Sequence, residues 1–96
     1  MIELYQAEWC PSSSRVRQRC TELGVSFVAR QVPAATVDRE EMRRHTGTDE
    51  IPVLVLEDGT PITGDADALI AYLEQDHSER ADADAHREQA AAHAGD

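Results

Sequence analysis

Apolar residues alternate with polar ones over Ile2-Glu3-Leu4-Tyr5-Gln6, the pattern of a half-buried strand. From Pro11 the period changes: Val16, Cys20 and Leu23 fall on one stripe of a helix, and Gly24 stands where a helix is commonly closed. Val25-Ser26-Phe27-Val28-Ala29-Arg30 reads as a second strand. A β-α-β opening of this kind implies parallel neighbours joined by a right-handed crossover. Asp38 to His45 predicts a short, partly exposed helix, with Asp38 and Glu41 spaced as a capping box and Thr36 as a rival cap. Ile51 to Leu56 is almost continuously apolar, as in a strand covered on both faces, and its proline lies at the start, where a strand tolerates one. Glu57-Asp58-Gly59-Thr60 signals a hairpin turn, with Pro61-Ile62-Thr63 as a short edge strand. Asp65 then caps a last helix whose buried stripe is Ala66, Leu69, Ile70 and Leu73.

Beyond Leu73 the chain contains no Leu, Ile, Val, Met or aromatic residue. The reading is therefore one domain over residues 1–77, followed by an acidic, Ala-rich tail over 78–96 that either extends the last helix or is disordered. Ninety-six residues, 41% hydrophobic with a single Phe and a single Trp, allow one compact aliphatic core. Nine Arg and no Lys face nineteen acidic residues, for a net charge of −10. Such a surface excludes nucleic acid as a bulk partner, because phosphate binding needs basic patches. No apolar run has the length of a membrane span, and no signal-type segment precedes the first strand. A cytoplasmic monomer with no membrane attachment is the expectation. His77, His86 and His93 are spaced nine and seven apart, beyond common ligand reach on one helix, so no metal is expected.

The chemistry concentrates at Cys10, between the first strand and the first helix. Pro11 suits the first helical position, where its missing N–H costs nothing. The positive end of a helix lowers a cysteine pKa, whereas burial raises it. Local sequence thus leaves two readings of Cys10 open, a nucleophile and a half-buried cap. Cys20 falls on the apolar stripe and reads as core. Ten residues of helix separate the two cysteines, about 15 Å, too far for a disulfide.

Trp9-Cys10-Pro11-Ser12-Ser13, Ile51-Pro52 and Gly64-Asp65, in this order on these elements, resemble the active-site turn, the cis-proline loop and the γ-glutamyl-holding segment of one group of proteins. Residues 1 to about 76 are similar to the thioredoxin fold, within it to glutaredoxins and to glutathione S-transferase N-terminal domains. The resemblance implies an α/β domain of order β-α-β-α-β-β-α, with a four-stranded mixed sheet and flanking helices. It implies Cys10 as the nucleophile, with Trp9 and Pro11 beside it on the binding surface. Ile51 would offer its backbone to a bound thiol in the manner of an added strand, with Pro52 against Cys10. Asp65 would take a γ-glutamyl ammonium or serve only as a cap, and Gly64, Ala66 and Asp67 would complete that end of the site. Arg15 or Arg44 would meet the other carboxylate.

Dithiol glutaredoxins carry a second cysteine where this chain has Ser13. Ser13 either donates to the thiolate or is ordinary helix-start sequence. The function implied is a monothiol thiol–disulfide oxidoreductase acting on small disulfides and protein mixed disulfides. Its co-substrate would be glutathione or another low-molecular-weight thiol. Two alternatives accompany it. One is a non-catalytic module that binds a small thiol or a peptide. The other is an iron–sulfur carrier in which two chains share Cys10 and external thiols, although Pro11 and Ser12 replace the Gly and Phe usual in such proteins. A complete glutathione transferase also needs a helical second domain, for which 96 residues leave no room.

Overall fold

Leu4 and Leu54 lie opposite one another at the centre of a four-stranded sheet, and neither is accessible to solvent. The computed structural model describes residues 1–95. Its elements in chain order are β1 (Ile2–Gln6), α1 (Pro11–Leu23), β2 (Phe27–Gln31), α2 (Glu40–Thr46), β3 (Val53–Val55), β4 (Pro61–Ile62), α3 (Ala66–Asp76) and α4 (Ala83–Ala92). The sheet order is β2-β1-β3-β4, with β1 and β2 parallel and the other pairs antiparallel. The chain thus has the mixed α/β, thioredoxin-like fold that the sequence implies.

Strand alternation divides the interior in two. Leu4 and Leu54 pack against Val16, Cys20 and Leu23 of α1 and Ala66, Leu69 and Leu73 of α3. Val53 and Val55 point the other way and pack with Met42 of α2, together with Tyr5, Val32 and Ile51. The central strand β3 therefore has to be apolar at every position. Each fully buried Leu or Val contributes about 1.5–3 kcal/mol relative to an exposed one.

Several boundaries differ from the sequence expectation. The second strand begins at Phe27, because Gly24 (φ 66°) closes α1 and the Val25 N–H is spent on the carbonyl of Cys20. The strand expected over Ile51–Leu56 shrinks to Val53–Val55. Leu56 belongs to the turn, exchanging main-chain hydrogen bonds with Thr60 and Gly59. The capping box of Asp38 and Glu41 does not form. Thr36–Asp38 make a single 3-10 turn, and Arg39 stands at the start of α2 without a side-chain cap.

The tail differs most. It was expected to extend the last helix or to be disordered, but α3 ends at His77, whose backbone is extended, and α4 is a separate helix. Ala83 is buried, and the Arg80 N–H donates to the Glu22 carbonyl at 2.9 Å. Arg19 of α1 meets Glu22, Glu74 and Glu79 at 2.7, 3.1 and 2.6 Å, while Arg87 of α4 meets Glu22 and Glu79 at 3.2 and 2.7 Å. Charge pairing and one small buried residue hold α4, which apolar periodicity does not reveal. Asp96, the last residue of the tail as read from sequence, lies outside the described residues. Among the described residues no helix is long and apolar enough to cross a membrane.

Candidate thiol site

Strand pairing brings the three motifs to one end of the sheet. Tyr5 pairs with Val53 in antiparallel register, so the turn after β1 lies beside the segment that enters β3. Leu54 pairs with Ile62, so the exit of β4 toward Gly64 and Asp65 lies at that same end. Cys10, Ile51-Pro52 and Gly64-Asp65 are thus neighbours in topology although more than fifty residues separate the first from the last. The Ile51-Pro52 bond is cis. Ile51 is partly exposed and Pro52 is buried.

Cys10 is the N-cap of α1, half-buried, with Pro11 exposed at the first helical position and Trp9 65% exposed beside it. Its Sγ accepts the N–H of Ser13 at 3.4 Å, the place that Asp or Ser takes in ordinary caps. Burial pushes the thiol up. Hydrogen bonds from the Ser13 side chain and from the backbone of Ser13 and Ser12, with the charge of Arg17, outweigh it, and the net shift is downward. Cys20 has no such partners. Burial pushes it up to about 11, and it packs as a small hydrophobe.

At the third motif, Gly64 has φ 127°, and a Cβ there would come within 3.0 Å of the Ala68 Cβ. The positive φ calls for glycine, and the Ala68 side chain leaves a Cβ little room. Asp65 follows as the N-cap of α3, its Oδ1 accepting the Ala68 N–H at 2.8 Å. Ala66 is buried beneath it. Asp67 in the first turn of α3 is ion-paired with Arg15, which ties the start of α3 to the start of α1. Arg15 is therefore at the correct end of the molecule but already engaged. Arg44 is exposed on α2, and among the described residues no hydrogen bond or ion pair ties it to the Cys10 end.

Residues 4–81 match the family described as "Glutathione S-transferase, N-terminal domain". The chain belongs to that family. A glutathione S-transferase domain-containing protein of Marinobacter aquaeolei VT8 is 27% identical, with a TM-score of 0.67, covering 79% of this chain and 38% of its own. A glutathione transferase homologue from Sulfitobacter, solved with bound glutathione, is 25% identical with a TM-score of 0.68, covering 78% of this chain and 36% of its own. A family member from Pseudomonas fluorescens Pf-5 is alike in fold, at 18% identity and a TM-score of 0.73 over 83% of this chain and 40% of its own. The chain thus spans well under half the length of these relatives. No curated protein matches it.

Within this family framework the structure adds residues that sequence reasoning passed over. From its place off the apolar stripe of α1, Arg17 has the appearance of a solvated arginine. Its guanidinium instead donates to the Ala7 carbonyl at 3.4 Å and to Gln6 Oε1, and it lies 3.4 Å from Glu8. Gln6 is 1% exposed and donates in turn to Gln31 Oε1 at 2.9 Å. Ser13 is fully buried and its Oγ accepts the Ala7 N–H at 3.5 Å. The turn that carries Cys10 is therefore fastened from α1 at two points. Arg17 lies seven residues after Cys10, two helical turns along one face, a spacing from which its reach was legible.

Proposed function

We propose that this chain binds a glutathione-type thiol and uses Cys10 alone for thiol–disulfide exchange. In the first step the Cys10 thiolate attacks the glutathionyl sulfur of a mixed disulfide. The Cys10–glutathione S–S bond forms, the original S–S bond breaks, and the leaving thiolate takes a proton from water. In the second step the thiolate of another small thiol attacks the same glutathionyl sulfur. Cys10 leaves as thiolate and a small-molecule disulfide departs. Across the two steps the leaving sulfur of the substrate passes from disulfide to thiol and the sulfur of the one incoming small thiol passes from thiol to disulfide, with Cys10 regenerated. Ser13 cannot resolve the intermediate because serine cannot form a disulfide.

The observation that carries the reading is the cap geometry: a half-exposed Sγ on the Ser13 N–H, with a thiol pulled below its ordinary value. A buried structural cysteine behaves like Cys20 instead. The cis Ile51-Pro52 bond and the exposed cap of Asp65, gathered at the same end of the sheet, support a site for a peptide-like thiol. The glutathione held in the Sulfitobacter relative supports that choice of thiol.

Turnover of a β-mercaptoethanol–glutathione mixed disulfide, with reduced glutathione as co-substrate, tests the proposal. Wild-type protein is expected to turn over and Cys10→Ser to be silent, while Cys20→Ala keeps its activity. Turnover that survives Cys10→Ser would overturn it.

A further inference from the structure

Arg39 is 5% exposed, and among the described residues no carboxylate forms an ion pair with it. All its hydrogen bonds go to main-chain carbonyls. Nε donates to Pro33 at 2.9 Å, Nη2 to Ala34 at 3.2 Å and Nη1 to Asp49 at 3.0 Å. A buried cation satisfied only by neutral acceptors costs desolvation, so its retention asks for a reason beyond filling space. The three acceptors supply one. Pro33 and Ala34 follow the exit of β2, and Asp49 stands two residues before the cis bond. The rigid fork of one guanidinium sets the distance between these two segments, which the flexible ammonium of lysine does not do.

Arg43, four residues on, doubles the hold. It donates to Asp49 Oδ2 at 3.0 Å and to the carbonyls of Thr36 and Val37, each at 3.2 Å. Asp49 is thus gripped by both its main chain and its carboxylate. On the far side, Val53 is fixed by its pairing with Tyr5. Only Glu50, Ile51 and Pro52 lie between these anchors.

We infer that Arg39 is a positioning residue for the thiol site: it sets the main chain of Ile51 from behind, through Asp49. The inference rests on the reading of Ile51 as the edge that receives the thiol. Arg39 fixes that edge without any bond to the Cys10 turn, whereas Arg17 and Ser13 fix the Cys10 turn.

The separation of the two supports is what an experiment reads. In the whole 96-residue chain, Arg39→Lys keeps the charge and loses the fork. Its KM for reduced glutathione is expected to rise about tenfold, the scale of a sub-ångström misplacement. The pH dependence of Cys10 alkylation stays unchanged. Asp49→Asn keeps the carbonyl that Arg39 holds but weakens the Arg43 pair, and raises KM about threefold. An unchanged KM in Arg39→Lys overturns the inference, and so does a rise in KM accompanied by a shifted Cys10 alkylation profile, which would mean general loosening. If Arg39→Lys does not fold, Asp49→Asn decides by the same two readouts. Wild-type protein that neither turns over nor binds glutathione in calorimetry defeats the functional reading itself. Amide exchange then judges the positioning alone: Ile51 must exchange faster in Arg39→Lys with Cys10 unchanged, and equal Ile51 rates overturn it.

Discussion

The backbone N–H of Ser13 donates to the Sγ of Cys10 at 3.4 Å, and the Ser13 side chain is buried without any solvent exposure. Because Ser13 Oγ accepts the Ala7 N–H, its hydroxyl proton is free for the sulfur. We propose that serine in the place of a second cysteine acts as a donor to the thiolate. Alkylation of Cys10 should therefore follow a pH midpoint below the ordinary 9.0, and Ser13→Ala should move it up. Cys20, raised to about 11 by burial, should resist alkylation at neutral pH. Mass mapping of the alkylated cysteines across pH checks both.

Arg17 acts on the same thiol through charge and through the turn it braces. Arg17→Gln should raise the Cys10 midpoint, and added salt should reduce the difference between the two proteins, since a charge contribution is screened. A salt-independent difference would assign the effect to the lost brace at Ala7 instead.

Asp65 combines a cap with a negative charge exposed at the site, and two substitutions separate them. Asp65→Ala should cost about 1 kcal/mol of stability through the lost cap, whereas Asp65→Asn should cost little. Both should weaken glutathione binding in calorimetry if the carboxylate takes a ligand ammonium. Unchanged affinity in Asp65→Asn would leave capping as its whole role.

Gly64→Ala places a Cβ at positive φ and 3.0 Å from the Ala68 Cβ. Strain at an incompatible backbone costs more than about 1 kcal/mol, and the melting temperature should fall accordingly. Thiol affinity should fall with it, because Asp65 is the next residue.

Acid should release α4. Hydrogen bonds from Arg87 and then Arg19 depress the Glu79 carboxyl from 4.5 to about 2. A depressed folded-state value contributes stability that is present above the unfolded value of 4.5 and is lost as pH falls toward about 2. Amide exchange in α4 should accelerate over that window, and Arg87→Ala should show faster exchange already at pH 7.

What the sequence made legible follows from local rules. The alternation of Ile2, Leu4 and Gln6, the stripe of Val16, Cys20 and Leu23, and the cap at Asp65 are properties of one element each, and all three appear in the structure. The resemblance carried Ile51-Pro52, and that bond is cis. What stayed hidden depends on arginines meeting distant partners. Arg39 closes on Pro33, Ala34 and Asp49, and Arg19 and Arg87 share Glu22 with the tail. An arginine has the same appearance in sequence whether it is solvated or holds a loop. The capping box fails because Thr36–Asp38 are taken up in a 3-10 turn, which leaves Arg39 rather than Asp38 at the start of α2.

As proposed, Cys10 is an activated nucleophile that carries a glutathionyl group. Intact mass after brief exposure to oxidised glutathione at neutral pH tests it directly. One glutathionyl adduct is expected, mapped to Cys10, absent in Cys10→Ser and removed by reduced glutathione. Wild-type protein that gains no adduct, or an adduct that forms equally fast in Cys10→Ser, would contradict it.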